Sequence, residues 1–333
     1  MVHVVITGGA GFLGSRLARE LLAAGSMEVD GGRARPLSRV TVLDASPLPD
    51  DLAGDERVAF TRCDLGDLLD SPAGRRDTLA PADVIFHLAA AVSGECEADF
   101  DLGMRANLRV TESLLASCRA LAANPVVVFS SSLAVFGASG DHPLPAVVDD
   151  HTLPNPQSSY GVQKVIGEQL LADYTRKGFL RGRAARLATV SVRPGRPNAA
   201  ASGFLSSIIR EPLTGRRAVC PVGAATEVAL ISPARAIEGL LCAAASAEES
   251  WGGRSAVTLP ALTATVADMV AALERAAGPE ASALIDWVPD PAVARLVTSW
   301  PARIRAGRAE RLGLAPDSDF GSIISRYLAE SRG

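Results

Sequence analysis

Lysine is nearly absent from this chain. Of its 33 basic residues, 31 are arginine and two, Lys164 and Lys177, are lysine. Each lysine in such a background invites the question of what arginine could not do there. No charge of one sign dominates: 33 basic residues face 37 acidic ones, and a net charge of -4 excludes a strongly basic nucleic-acid surface. Cysteine is scarce too. Cys63, Cys96, Cys118, Cys220 and Cys242 are odd in number, scattered and without CxxC spacing. That pattern fits free thiols in a reducing compartment better than a disulfide framework or a zinc site. The four histidines show no metal-ligand spacing, so no metal is expected. Long apolar runs are missing: Val84–Val92 is among the longest, far below the roughly 18 residues that span a bilayer. Met1 leads at once into Val2–Ile6, with no charged leader or cleavage site. Secretion is therefore not expected, and a cytoplasmic location with neither membrane nor nucleic-acid partner is.

What is present describes a globular chain. Apolar residues make up 48% of the 333 and charged residues 21%. The length suits one large domain or two intimate ones. Apolar, β-branched runs occur at Val2–Ile6, Val40–Leu43, Val58–Thr61, Val84–His87, Val126–Ser130 and Ala188–Val192. Helical spacing separates them, as in Leu13/Leu17/Leu21, Leu108/Leu115/Cys118 and Val162/Ile166/Leu170. This alternation predicts an α/β fold: a doubly wound parallel sheet with right-handed crossovers. Ser26–Pro36 reads as a surface loop, and the proline-rich Ala138–Ser159 as a long irregular connection of the kind that is often functional. After about Pro194 the rhythm weakens, with later helices near Thr265–Ala277 and Ser322–Ala329. The expected organisation is a nucleotide-binding domain at 1–195, rejoined by about 228–248, and a smaller substrate-binding lobe at 196–227 and 249–333.

The first strand runs into Thr7-Gly8-Gly9-Ala10-Gly11-Phe12-Leu13-Gly14 and then a helix. Glycine is needed where backbone turns tightly and approaches a pyrophosphate, which sits on the amides of the helix N-terminus. Strand before and helix after are the context that turns a glycine motif into a dinucleotide site. The cofactor residues read here are Gly8, Gly11, Phe12, Leu13 and Gly14. Asp44 ends the second strand, where a carboxylate accepts from the adenine-ribose hydroxyls and repels a 2′-phosphate, so NAD is expected over NADP. Asp64, followed by Leu65, either faces the adenine or caps the next helix. Further on, Ser132 follows a serine-rich strand end, and Tyr160 and Lys164 stand at i and i+4 on one helical face. A phenol is a poor base at neutral pH, and a nearby ammonium favours its phenolate. Tyr160 could then accept a hydroxyl proton while Ser132 steadies the forming carbonyl.

With these residues in hand, the sequence resembles the extended short-chain dehydrogenase/reductase family. The glycine turn, His87-Leu88-Ala89-Ala90, Asn107, the Ser132 segment, Tyr160-x-x-x-Lys164 and Arg193-Pro194-Gly195 match it in order. The resemblance implies that Leu88, Ala89 and Ala90 line the cofactor groove and that Pro194 lies near the nicotinamide. It also implies that Asn107 shapes its helix and a proton path beside Lys164. The segments Val190–Phe204, Ser207–Pro212, Ala91–Glu95 and Ala218–Val222 are similar to a sugar-acid dehydrogenase branch of the family. That likeness implies NAD-dependent oxidation of the C2 hydroxyl of a four-carbon sugar acid.

A carboxylate substrate needs a fixed cation or a set of donors. Arg196 and Arg210 are candidates for it, with Ser93 and Asn198 as polar candidates near the strand ends. An epimerase would share Ser132, Tyr160 and Lys164, and stays open as an alternative. A dehydratase of this family carries an Asp-Glu pair where this chain has Leu133-Ala134, which argues against it. In the family the helices near Asn107–Leu121 and Tyr160–Thr175 commonly pair with a second subunit, so a homodimer is the expectation the resemblance adds.

Overall fold

The computed structural model describes residues 1–195 and 200–331. Its centre is a parallel sheet of seven strands: β1 (Val2–Thr7), β2 (Arg35–Asp44), β3 (Val58–Arg62), β4 (Val84–His87), β5 (Val126–Ser132), β6 (Arg181–Leu187) and β7 (Val257–Thr258). The spatial order is β7-β6-β5-β4-β1-β2-β3, and the two-residue strand Ser26–Met27 adds antiparallel to the start of β2. Strand order reverses between β1 and β4, which opens a crevice at their carboxyl ends.

Alternate residues of each strand enter two different cores. Val4, Ile6, Val84, Phe86, Val126 and Val128 pack under α1 (Phe12–Ala24) and a helix at Pro233–Ala245. Val5, Ile85, Val127 and Phe129 face α2 (Val110–Leu121), α3 (Ser159–Arg176) and the turns at Leu65–Leu79. Burial on both faces is why these strands read as continuous Val/Ile runs. A third core joins Val192, Leu205, Ile208 and Ile209 to Cys220, Leu230, Met269, Leu273 and Phe320–Ile324. It sits beyond the carboxyl ends of the sheet.

Several expectations need correction. The sixth strand is Arg181–Leu187, whereas Ala188–Val192 holds only the two-residue strand Thr189–Val190. Arginine hid it. Arg183 is fully buried and reaches Asp30 at 2.7 Å; Arg186 is buried against Glu168. Ser26–Pro36 is no simple surface loop. Met27 and Val29 are core residues, Asp30 accepts from Arg181 and Arg183, and β2 starts at Arg35 rather than Val40. The segment Ala138–Ser159 is irregular apart from an antiparallel bridge between Ser139 and His142 and a short pairing of Val148–Asp149 with Ile304–Arg305, and none of its residues lines the main cleft. Of the Val162/Ile166/Leu170 stripe of α3, Val162 and Ile166 point outward, 42% and 37% exposed, while Leu170 packs against the core. From the stretch 249–333, Trp251, Val257, Leu259, Ala306, Ala309 and Leu314 pack into the first core.

Candidate active site

A cleft of about 340 Å³ runs from the glycine turn, across the ends of β4 and β5, to Leu205, Glu227 and Trp300. Its nucleotide end follows from backbone geometry. Gly8 has φ +68, and a Cβ there would lie 2.7 Å from the amide of Ala89. A Cβ on Gly14 would collide with the carbonyl of Gly8. The two glycines thus let β1, the Ala89 strand end and α1 close on one another. The α1 N-terminus has no side-chain cap and no acidic residue in its first turn. Its first amides and the dipole are left for an anion such as a pyrophosphate. Asp44 turns its carboxylate toward the same turn, accepting from the amides of Ala10 at 3.0 Å and Ser46 at 2.8 Å. The residues present therefore fit NAD: a glycine cradle, a bare helix end and an acid at the close of β2.

Other cofactor assignments divide. Phe12, Leu13, Leu88 and Ala90 line the cleft, as do Gly8, Gly11 and Gly14, whereas Ala89 supports Gly8 through its backbone. Asp64 accepts from Gly66 and Asp67 at the start of the next helix, which is the capping alternative, and Leu65 packs in the core beneath. Neither lines the cleft. Pro194 is exposed and also lies off the lining.

The reactive end is built by β5 and α3. Ser132 ends β5 and accepts from the Ala134 amide at 3.1 Å, and it lines the same end of the cleft as Tyr160. Ser158 caps α3, which fixes the rotation that aims Tyr160 and Lys164 inward. The Lys164 ammonium donates to the Ser130 carbonyl at 2.8 Å and lies 5.5 Å from the Tyr160 ring centroid. Burial brings Lys164 down to about 8, opposed by Cys96 and Glu168. Burial pushes the Tyr160 phenol up to about 12; the guanidinium of Arg193 and the nearby Ser132 hydroxyl work against that rise, while Cys96 adds to it.

Asn107 is buried and stands off the cleft lining. It sits in a π-helical turn, Met104–Arg109. Its side-chain Oδ1 accepts from the Ala91 amide at 2.7 Å, and its Nδ2 donates to the Ala91 carbonyl and to Gln163 Oε1. It therefore anchors the loop after β4 to α3. Ser93 lines the cleft and accepts from the Ala201 amide at 3.3 Å. Arg210 does not reach the cleft. Its guanidinium is tied to Glu211, to Ser207 and to the carbonyl of Arg193, and it borders a separate cavity. Arg196 and Asn198 lie outside the described residues.

Two groups escaped the sequence reading. Behind Lys164, Glu168 receives a bidentate ion pair from Arg186 and a 2.5 Å hydrogen bond from Ser131. Within the cleft stands Arg193. It belongs to a motif that was noticed, but one arginine among 31 carries no local mark of its role.

Comparison with known proteins agrees with this geometry. The model of the NAD dependent epimerase/dehydratase family matches residues 4–232. The chain is 48% identical over 330 residues to a D-erythronate dehydrogenase of Cupriavidus necator, covering 99% of each chain. It is 38% identical to a D-erythronate dehydrogenase of Haemophilus influenzae, covering 98% of this chain and 99% of that one. The crystal structure of a nucleoside-diphosphate-sugar epimerase from Agrobacterium tumefaciens superposes with TM-score 0.87 at 39% identity, covering 100% of this chain and 95% of that one. With a family model over residues 4–232 and full-length dehydrogenase relatives, the chain belongs to the NAD dependent epimerase/dehydratase family and is an NAD-dependent dehydrogenase within it.

Proposed function

We propose that the chain oxidises the C2 hydroxyl of D-erythronate to the 2-oxo acid, 2-dehydro-D-erythronate. The observation that carries this reading is the full-length identity to two D-erythronate dehydrogenases. The convergence of Ser132, Tyr160 and Lys164 at one end of the cleft supplies the chemistry. NAD, held by the glycine turn, the α1 N-terminus and Asp44, would supply the hydride acceptor for C2. Tyr160 accepts the hydroxyl proton, and Ser132 donates to the oxygen as it becomes a carbonyl. Lys164, fixed by the Ser130 carbonyl, holds positive charge beside the phenol below about pH 8. The lobe around Leu205, Glu227 and Trp300 closes over the substrate and excludes water. The chain functions as a cytoplasmic homodimer in sugar-acid catabolism.

The epimerase described for the Agrobacterium structure keeps a second reading in view. An epimerase returns the hydride to its substrate, so it accumulates no NADH. Steady NADH formation with D-erythronate, and none with UDP-sugars, is expected. NADH formation with another sugar acid instead would revise the substrate and keep the mechanism. Tyr160→Phe is expected to lower kcat by about 10²- to 10⁴-fold, the usual weight of a positioned acid–base group, with NAD affinity retained. Undiminished turnover in that variant would remove Tyr160 from the chemistry.

A further inference from the structure

We propose that Arg193 is the residue that recognises the substrate carboxylate and so selects 2-hydroxy acids over neutral polyols. The inference rests on the dehydrogenase reading above and deepens it.

Among the described residues that line the cleft, the cations are Lys164 and Arg193 and the only anion is Glu227. Glu227 is committed to Arg303 by two hydrogen bonds of 2.7 and 3.0 Å. Lys164 is committed to the Ser130 carbonyl. Arg193 has no carboxylate partner among the described residues, whereas Arg210, 17 positions along the chain, is locked to Glu211. The only hydrogen bond from the Arg193 guanidinium to a described residue is a 3.3 Å bond from Nε to the Val190 carbonyl. Its two terminal nitrogens make no hydrogen bond to a described residue and are the donors the proposal assigns to a ligand. They stand on a rigid mount. The Arg193 amide donates to Ser206 Oγ at 3.0 Å, and its carbonyl accepts from Arg210 at 2.8 Å. Arg210 thus acts through Arg193 rather than on the substrate.

The position matches the chemistry of the substrate. In a 2-hydroxy acid the carboxylate is bonded to the very carbon that bears the reacting hydroxyl. The base for that hydroxyl and the cation for the carboxylate must therefore be neighbours. Arg193 and Tyr160 line the same cleft, where Arg193 is the leading charge felt by the phenol. A planar guanidinium offers a carboxylate two parallel donors, which fixes orientation as well as position. A partly buried guanidinium without an acidic partner is costly until an anion arrives, so the site discriminates against polyols that cannot supply one.

The test uses the enzyme–NADH complex, which binds D-erythronate without turning it over. Calorimetric titration of D-erythronate into this complex is expected to show affinity lost by about 10- to 100-fold in Arg193→Ala, the weight of hydrogen bonds to a charged group. Arg193→Lys is expected to fall between the two, NADH affinity to be unchanged, and free guanidinium to restore part of the loss. Erythritol, which lacks the carboxylate, is expected to bind all three proteins equally weakly. If Arg193→Ala proves unable to bind NADH, Arg193→Lys and the erythritol comparison carry the test. Wild-type affinity for D-erythronate in either variant would overturn the role of Arg193 while leaving the dehydrogenase reading intact. A wild-type protein that neither binds nor oxidises any sugar acid would overturn both.

Discussion

A chain that uses arginine 31 times and lysine twice places one of its lysines where arginine would not fit. Lys164 is buried between the rings of Phe129 and Tyr160, 4.8 and 5.5 Å from their centroids, and reaches the Ser130 carbonyl with a single point donor. A planar guanidinium there would displace one ring or lose the carbonyl. Lys164→Arg is accordingly expected to lower kcat by about 10²-fold or more while the fold survives, read by steady-state kinetics alongside circular dichroism. Lys177, at the end of α3, carries no such constraint. A second residue-scale prediction concerns His87, which lies buried beneath the cleft. Its ring nitrogens engage Thr7 at 2.8 Å and Thr111 at 3.0 Å. Burial, helped by the Lys164 charge, takes it down to about 3. Above its ordinary value of 6.5 neither the folded nor the unfolded chain is protonated there. As pH falls from 6.5 toward 3, only the unfolded chain takes up the proton, so stability declines through that window. His87→Asn is expected to flatten the decline in urea midpoints between pH 6.5 and 4; an unaltered slope would assign the acid sensitivity to other groups.

At the scale of elements, the legibility of the chain followed how much of each element's context was local. β1, β4 and β5 are runs of Val, Ile and Phe buried on both faces, and such runs announce themselves. The glycine turn was legible because backbone closeness leaves only glycine, and Tyr160 with Lys164 because a helix puts i and i+4 together. β6 was not legible. Its sequence, RGRAARL, has no apolar alternation, and its arginines become tolerable only through acids supplied from 18 and 153 positions away. The same holds for Arg193: choosing it over Arg196 and Arg210 required knowing which arginines were already paired. Asp64 shows the reverse case, in which two local readings were open and the helix after it took the carboxylate as its cap. The Arg186–Glu168 pair joins β6 to α3 and so holds the helix that carries Tyr160 and Lys164. Both partners are buried, at 9% and 2% side-chain exposure. Breaking such a pair strands a charge in the interior, which costs about 3–5 kcal/mol. Arg186→Met is expected to lose that much in equilibrium denaturation. A loss below about 1 kcal/mol would mean that water reaches Glu168, since surface pairs are worth no more than that.

At the scale of the whole molecule, the described surface leaves one helix face unaccounted for. α3 buries Gly161, Lys164, Gly167, Glu168 and Leu171 against the sheet and turns Val162 and Ile166 to solvent. Spacing alone could not separate these two faces, because the inward one carries the chemistry and is polar, while the outward one is apolar and reads like a core stripe. The homodimer proposed above, with α3 and α2 pairing between subunits, would cover that apolar face with a second copy of the chain. On this view dimerisation also bears on the active site. The helix that presents Tyr160 and Lys164 inward would be clamped from outside by the partner, so loss of the dimer should loosen the site without touching any reacting group. The wild-type protein is expected to elute as a homodimer in size-exclusion chromatography with light scattering. Ile166→Asp, which places a charge at the centre of the apolar face, is expected to shift it to monomer and to lower Tm. Because the substituted side chain points away from the cleft, its kcat should fall less than in any variant of Tyr160 or Lys164. A monomeric wild-type protein would show that the face is merely exposed. A dimer unaffected by the aspartate would move the interface to another surface and leave the outward stripe of α3 without a role in assembly.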